Sequence, residues 1–165
     1  MTIIGIIPAR LASTRLPNKP LEKILEMPMI GHVYFRSKMS FIMEEVYVAT
    51  CDQEIKDYIE SIGGKVIMTK NSHERASDRT AEALLKIEKL TKKKIDIIVM
   101  IQGDEPMISP EMINAAVKPL LDFPSLQITN LMENIETQEE HEDPAEVKVV
   151  VDKNNNALYF SREPI

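Results

Sequence analysis

The stretch VYVATCDQEIKDYIESIGGKVIM, residues 46–68, holds one complete unit of the fold. Residues 46–49 are a β-branched and aromatic run of strand length. Asp52 stands where a helix N-cap belongs. Ile55, Tyr58, Ile59 and Ile62 then repeat at i, i+3, i+4 and i+7, which lays one apolar stripe along a helix. Gly63 and Gly64 stop that helix, and residues 65–68 resume an extended apolar run. A strand, a helix and a strand joined this closely form a βαβ unit with parallel strands.

The same alternation continues on both sides. Residues 3–7, Ile-Ile-Gly-Ile-Ile, read as a strand buried on both faces and stopped by Pro8. Pro28 leads a helical pattern reaching about residue 40. Ser77 opens a helix carrying Ala81, Leu84, Leu85 and Ile87. Residues 95–101, interrupted only by Asp96, are the most apolar strand. Ser109-Pro110 is an N-cap followed by a proline at the first helical position, for a helix to about residue 122. Residues 126–131, 147–151 and 158–160 read as strands without long helices between them, so antiparallel additions are expected there. The expected class is α/β, three-layer, with a mostly parallel, Rossmann-like sheet.

A chain of 165 residues implies one domain, here residues 1–165, with a ligand-binding portion over 1–125 and a smaller portion over 126–165. Hydrophobic residues make up 44% and charged residues 28%, enough to bury a core, which argues against a disordered chain. Aromatics are only 5% with no Trp, so the core is expected from Ile, Leu, Val and Met, the ten methionines filling gaps. Twenty basic against twenty-six acidic residues give a net charge of -6, which argues against a nucleic-acid partner but not against a local basic pocket. The lone Cys51 cannot form an internal disulfide and reads as an inert core residue in a reducing compartment. No apolar stretch approaches the ~20 residues of a membrane span, and no basic leader precedes residue 3. A cytoplasmic protein without a membrane partner is expected. Residues 133–146 carry seven carboxylates and no Lys or Arg, a solvated loop. His32, His73 and His141 show no metal-ligand spacing with one another and read as surface or satisfied histidines.

In a parallel sheet, ligands bind outside the carboxyl ends of the strands. The loop after the first strand, Pro8-Ala9-Arg10-Leu11-Ala12-Ser13-Thr14-Arg15-Leu16-Pro17-Asn18-Lys19-Pro20-Leu21, has three cations and no carboxylate. Small residues let a ligand approach the backbone, Arg forks onto oxygen pairs, and Lys supplies a point charge, so Arg10, Arg15 and Lys19 suit a polyphosphate. The loop matches neither a Walker A motif nor a dinucleotide fingerprint. After the fourth strand comes Gln102-Gly103-Asp104-Glu105-Pro106. A hard divalent cation takes one or two carboxylates plus substrate phosphate oxygens, which makes Asp104 the candidate metal ligand. A third loop, His73-Glu74-Arg75-Ala76-Ser77-Asp78-Arg79, opens a helix after the third strand. Ser77 and Asp78 there suit either an anion site or ordinary capping. A basic and an acidic loop at the ends of one sheet describe metal-assisted phosphoryl or nucleotidyl transfer.

These loops resemble a known family. Ile-Pro-Ala-Arg-x-x-Ser-Thr-Arg-Leu-Pro-x-Lys-Pro-Leu from Ile7, Arg-Ala-Ser-Asp-Arg-x-Ala-Glu from Arg75, Gln-Gly-Asp-Glu-Pro from Gln102, Val-Lys-Val-Val-x-Asp from Val147 and Ala-Leu-Tyr-Phe-Ser-Arg from Ala157 are similar to the CMP-sugar synthetases. Within them the 3-deoxy-manno-octulosonate (Kdo) cytidylyltransferases stand nearest. The resemblance runs from Ile3 to Arg162. It implies a nucleotide-diphospho-sugar transferase fold, transfer of CMP from CTP to an acidic sugar with release of pyrophosphate, a Mg²⁺ cofactor, and a homodimer. It implies that Arg10, Arg15 and Lys19 hold the triphosphate, with Arg10, Lys19 and Asp104 carrying catalysis and Asp104 binding the metal. By the same resemblance Ala9 and Leu11 offer backbone to the cytosine, Ser77, Asp78 and Arg79 approach the nucleoside, Gln102 lies between nucleotide and sugar, and Arg162 meets the sugar.

Three departures stand out. Asn18 replaces a usual Gly, which Asn can do in left-handed backbone. Glu26-Met27-Pro28 replaces Gly-Lys-Pro, removing a cation. Arg75-Ala76-Ser77-Asp78-Arg79 replaces Ser-Gly-Thr-Glu-Arg, which leaves the sugar open between Kdo and another acidic sugar such as a nonulosonate. The family also continues past Ser-Arg-x-x-Ile for about a third of its length again, so the resemblance implies a C-terminally truncated chain. An inactive nucleotide-binding module is therefore the alternative reading.

Overall fold

A computed structural model describes residues 1–12 and 18–165. Arg15, one of the three loop cations, lies outside the described residues. The chain divides into two compact units, Met1–Thr129 and Asn130–Ile165.

The first unit is built on a four-stranded sheet. Its strands are β1 (Ile3–Pro8), β4 (Glu45–Thr50), β5 (Lys65–Met68) and β6 (Ile97–Met100), and a small hairpin pairs β2 (Lys23–Ile24) with β3 (Met27–Pro28). The helices are α1 (Met29–Lys38), α2 (Gln53–Ser61), α3 (Ala76–Thr91) and α4 (Pro110–Asp122). The sheet order is β5-β4-β1-β6, and every pairing is parallel. The chain builds outward from β1 to β5, then returns to add β6 on the other side of β1. The switch point is therefore beside β1, where a doubly wound sheet opens a crevice at its carboxyl ends.

Alternation along β1 explains the three layers. Ile3 and Ile7 face one side, packing with Ile30 and Val33 of α1, Ile55 and Ile59 of α2, and Ile113 and Val117 of α4. Ile4 and Ile6 face the other, against Ala83 and Ile87 of α3. Each fully buried Ile contributes roughly 1.5–3 kcal/mol by leaving water. Among the described residues no Leu is fully buried in the core, contrary to the expectation from composition, and only Met29 and Met43 of the ten methionines are buried. The β-branched residues on the sheet take the interior, while Leu85 and Leu90 lie exposed on the outer face of α3.

The predicted βαβ unit forms as read, with Gly63 at φ 77° past α2. Two helix starts differ. α3 begins at Ala76 with Arg75 as N-cap, so Ser77 is already inside the first turn. Asp52 is the N-cap of α2, but its side chain makes no cap hydrogen bond. The strand expected over 126–131 does not form; Ile128 is exposed and the segment crosses the boundary between the units without a strand to pair with. No helix among the described residues is long and apolar enough to cross a membrane.

The second unit contains α5 (Gln138–Glu142) and the antiparallel pair β7 (Lys148–Val151) and β8 (Ala157–Ser161), the antiparallel addition expected from the missing crossover helices. The acidic segment is exposed but not wholly a loop: Thr137 and Glu140 form a capping box that starts α5. Lys148 is buried, and its ammonium donates to the carbonyls of Asp143 (2.5 Å), Glu146 (3.0 Å) and Arg162 (3.0 Å).

Candidate active site

The loop after β1 is held by hydrogen bonds that span the sheet. The Ala9 N–H donates to the Ala49 carbonyl at the end of β4 (2.9 Å), and the Leu11 N–H donates to Asp52 Oδ2 (2.8 Å). The Asn18 N–H donates to the Leu11 carbonyl (3.2 Å), closing the loop, and Asn18 sits at φ 59°, ψ 12°. That is left-handed backbone. Asn reaches it at low cost, and the short 3₁₀ turn Lys19–Leu21 then presents Lys19.

The loop after β6 comes close to this one. A Cβ on Gly103 would lie 2.8 Å from the Pro8 carbonyl oxygen and 3.5 Å from Ala9 Cβ. Only glycine lets the two strand ends approach to that distance. Lys19 Nζ consequently stands 2.8 Å from Asp104 Oδ2 across the gap, both side chains partly exposed.

The third wall is the start of α3. Arg79 is only 2% exposed, yet among the described residues no carboxylate pairs with it. Its guanidinium donates to Thr69 Oγ1 (2.5 Å) and, at 3.5 Å, to the His73 carbonyl. Arg10 reaches the same carbonyl at 3.4 Å. Two guanidinium groups thus converge on one neutral oxygen, with donors left for an anion. The His73 ring contacts Glu82 Oε2 at 2.5 Å, and that carboxylate also accepts from the Lys70 N–H (2.9 Å) and from Lys86 (2.8 Å). Lys86 first, then the Lys70 N–H, holds the Glu82 carboxyl down to about 2.

These three walls enclose a cleft of about 350 Å³ at the switch point. Of the residues singled out in the sequence, Ala9, Arg10, Lys19, Arg79, Gln102 and Asp104 line it. Leu11 does not, and its N–H and carbonyl already serve Asp52 and Asn18. Ser77 and Asp78 are exposed in the first turn of α3 and do not line it. Arg162 belongs to the second unit, where it donates to the Pro144 carbonyl (2.8 Å). Cys51 is only half-buried, its Sγ 3.5 Å from Asn71 Oδ1. Among the residues without a site role from sequence alone are His73, Glu74 and Arg75 as lining residues, Gly103 as the spacer and Asp52 as the loop anchor. Gly103 had a readable signal, a glycine one residue beyond the end of an apolar run.

Among the described residues no group of three His, Cys, Asp or Glu comes together to hold a metal. Two exposed acids, Asp104 and Glu74, line the cleft among the cations, and Asp104 fits a cation that draws its remaining ligands from a bound phosphate.

A parallel sheet with its cleft at the switch point, lined by the cations Arg10, Lys19 and Arg79 and by the carboxylate of Asp104, places the chain in the Rossmann-like nucleotidyltransferase fold class. The cytidylyltransferase family pattern matches residues 4–165, and the chain belongs to that family. It is 45% identical to the 3-deoxy-manno-octulosonate cytidylyltransferase of Pelobacter propionicus, an alignment covering 100% of this chain and 62% of that one. It is 44% identical to the Escherichia coli protein of the same name, over 97% of this chain and 62% of that one. The solved structure of CMP:2-keto-3-deoxy-manno-octonic acid synthetase complexed with CTP superposes with a TM-score of 0.88 at 42% identity, covering 100% of this chain and 66% of that chain. The chain thus spans somewhat less than two thirds of these relatives' length.

Proposed function

We propose that the cleft binds CTP and Mg²⁺ and serves transfer of CMP to an acidic sugar of the Kdo type, with release of pyrophosphate. The observation that carries this reading is the convergence of Arg10, Lys19 and Arg79 with Asp104 in one cleft. The likeness to a synthetase solved with CTP supports the choice of nucleotide.

In this reading Arg10 and Lys19, with Arg15, hold the triphosphate, and Arg79 fixes the nucleotide from a buried position where its charge is little screened. The main-chain groups of Ala9 and Leu11 face the cytosine, with Leu11 contributing through the second lone pair of its carbonyl, because Asp52 holds its N–H and Asn18 donates to the same carbonyl. Ser77 and Asp78 approach the nucleoside from the start of α3. Gln102 lies between nucleotide and sugar, and Arg162 meets the sugar. The sugar's anomeric hydroxyl attacks the α-phosphorus in line; the new P–O bond forms as the bond to pyrophosphate breaks. Asp104 would hold Mg²⁺, which neutralises charge on the phosphates when bound. The protein's own part is positioning and charge complementarity. A homodimer and a cytoplasmic setting belong to the same proposal, the first on the resemblance read from the motifs and the second on the lone cysteine and the lack of a membrane-length apolar stretch.

The test is calorimetry of CTP with and without Mg²⁺, then pyrophosphate release with CTP, Mg²⁺ and Kdo or a nonulosonate. Mg²⁺-strengthened CTP binding and Kdo-dependent pyrophosphate are expected. A folded chain that ignores CTP overturns the reading. Binding without pyrophosphate leaves the nucleotide-binding module, and turnover with the nonulosonate alone reassigns the sugar.

A further inference from the structure

Asp52 occupies the N-cap of α2, yet its side chain caps nothing. Its Oδ2 instead accepts the Leu11 N–H at 2.8 Å, from a loop 41 residues earlier in the chain. Its own main-chain groups are engaged without that carboxylate: the Asp52 N–H donates to Thr50 Oγ1 (3.1 Å), and its carbonyl accepts from the Lys56 N–H (3.2 Å), while the neighbouring Cys51 thiol lies 3.6 Å from the same Oδ2. A cap alone would be served as well by Ser or Thr. A carboxylate one strand away from an anion site weakens attraction for the anion, so its presence asks for a compensating role.

That role lies at Arg10. Ala9 on one side is tied to the Ala49 carbonyl, and Leu11 on the other to Asp52. Arg10 is therefore held between two anchored neighbours, and its side chain lines the cleft and reaches the His73 carbonyl. Asp52 itself does not line the cleft. We infer that Asp52 is a positioning residue for the phosphate-binding loop, fixing the Leu11 amide and thereby aiming Arg10 at the ligand. A charge-assisted hydrogen bond from a carboxylate to a backbone N–H is suited to this, being shorter and stronger than a neutral one. The inference rests on the reading of the cleft as a nucleoside triphosphate site.

The experiment compares the full chain with Asp52→Ser, which still caps a helix but is too short to reach Leu11, and Asp52→Asn, which keeps an acceptor at the same reach. Calorimetry with CTP is expected to show at least tenfold weaker binding for Ser and recovery to within about threefold of the unsubstituted chain for Asn. Hydrogen exchange at the Leu11 amide, without ligand, is expected to be slow in the unsubstituted and Asn chains and fast in the Ser chain. Equal CTP affinity for Ser and the unsubstituted chain overturns the positioning role while leaving the cleft's assignment intact, and equal losses for Ser and Asn overturn it too. Failure of the unsubstituted chain to bind CTP overturns the reading of the cleft itself. If the Ser chain does not fold, the unsubstituted chain decides: a Leu11 amide exchanging at the free-peptide rate overturns the inference, and a protected one that stays protected in Asn supports it.

Discussion

Lys19 Nζ and Asp104 Oδ2 stand 2.8 Å apart, joining the loop after the first sheet strand to the loop after the last. The pair is partly exposed and contributes little stability by itself. Its value is positional, because it brings the cationic and acidic loops to opposite sides of one opening. In Asp104→Asn, Mg²⁺ should no longer strengthen CTP binding, while metal-free CTP should bind equally well or better, since a negative charge facing the phosphates is gone. Calorimetry with and without Mg²⁺ measures both; retained Mg²⁺ enhancement would remove Asp104 from the metal site.

Arg79 is the buried cation of the cleft. Arg79→Ala should weaken CTP binding by about 10–100-fold, or about 1.4–2.8 kcal/mol. Arg79→Lys should recover little of it, because a single ammonium cannot match a planar fork that also bonds Thr69. Full recovery by Lys would show that charge alone is used.

Gly103→Ala places a methyl 2.8 Å from the Pro8 carbonyl oxygen. Relief requires β1 and β6 to part at their carboxyl ends, at a cost of roughly 1–3 kcal/mol. Chemical denaturation should show that loss together with weaker CTP binding. Stability unchanged from the parent chain would mean the two strand ends are not in such close contact.

Glu45 carries the clearest pH signature. Burial pushes its carboxyl up, but hydrogen bonds from Lys38 (2.8 Å), Lys65 (2.5 Å) and the Val46 N–H (3.0 Å) outweigh burial and bring it to about 2 from an ordinary 4.5. A depressed folded-state pKa stabilises the fold above the unfolded value, and the gain is lost as pH falls from 4.5 toward 2. Glu45→Gln should therefore cost about 2 kcal/mol at pH 7, with the difference from the parent shrinking toward pH 2. A gap that stays constant across that window would refute the assignment.

Lys148→Met removes an ammonium that ties three carbonyls of the second unit. These carbonyls belong to exposed residues that water can reach, so each lost bond costs less than the roughly 1–3 kcal/mol of a buried unpaired acceptor. Faster amide exchange along β7 and β8 is the expected signature, and unchanged exchange would deny Lys148 its bracing role.

Much of this architecture was legible because it rests on local periodicity. The 46–68 unit, the strand at residues 3–7 and the Ser109-Pro110 helix start all follow from side-chain spacing and turn chemistry. The cationic and acidic loops were legible as chemistry at strand ends. Asp52 was not, because a cap and a long-range anchor look alike in one dimension; only the fold brings Leu11 to it. The segment 126–131 had strand spacing and no partner, and spacing alone does not make a ladder. The leucines misled for a related reason. Composition counts them, but the pleat decides who faces inward, and it gives the interior to isoleucine and valine.

The strand order has a kinetic consequence. Pairing Ile4 with Glu45 spans a modest length of chain, whereas pairing Ile3 with Ile97 spans more than twice as much. Contacts between distant segments form late, because more chain must be gathered before they are rewarded. The Gly103 end of the site therefore arrives with the most remote strand of that sheet, after the basic loop already has its anchors at the end of β4 and the start of α2. A growing polypeptide emerging from the ribosome would carry half a binding site until that last strand docks.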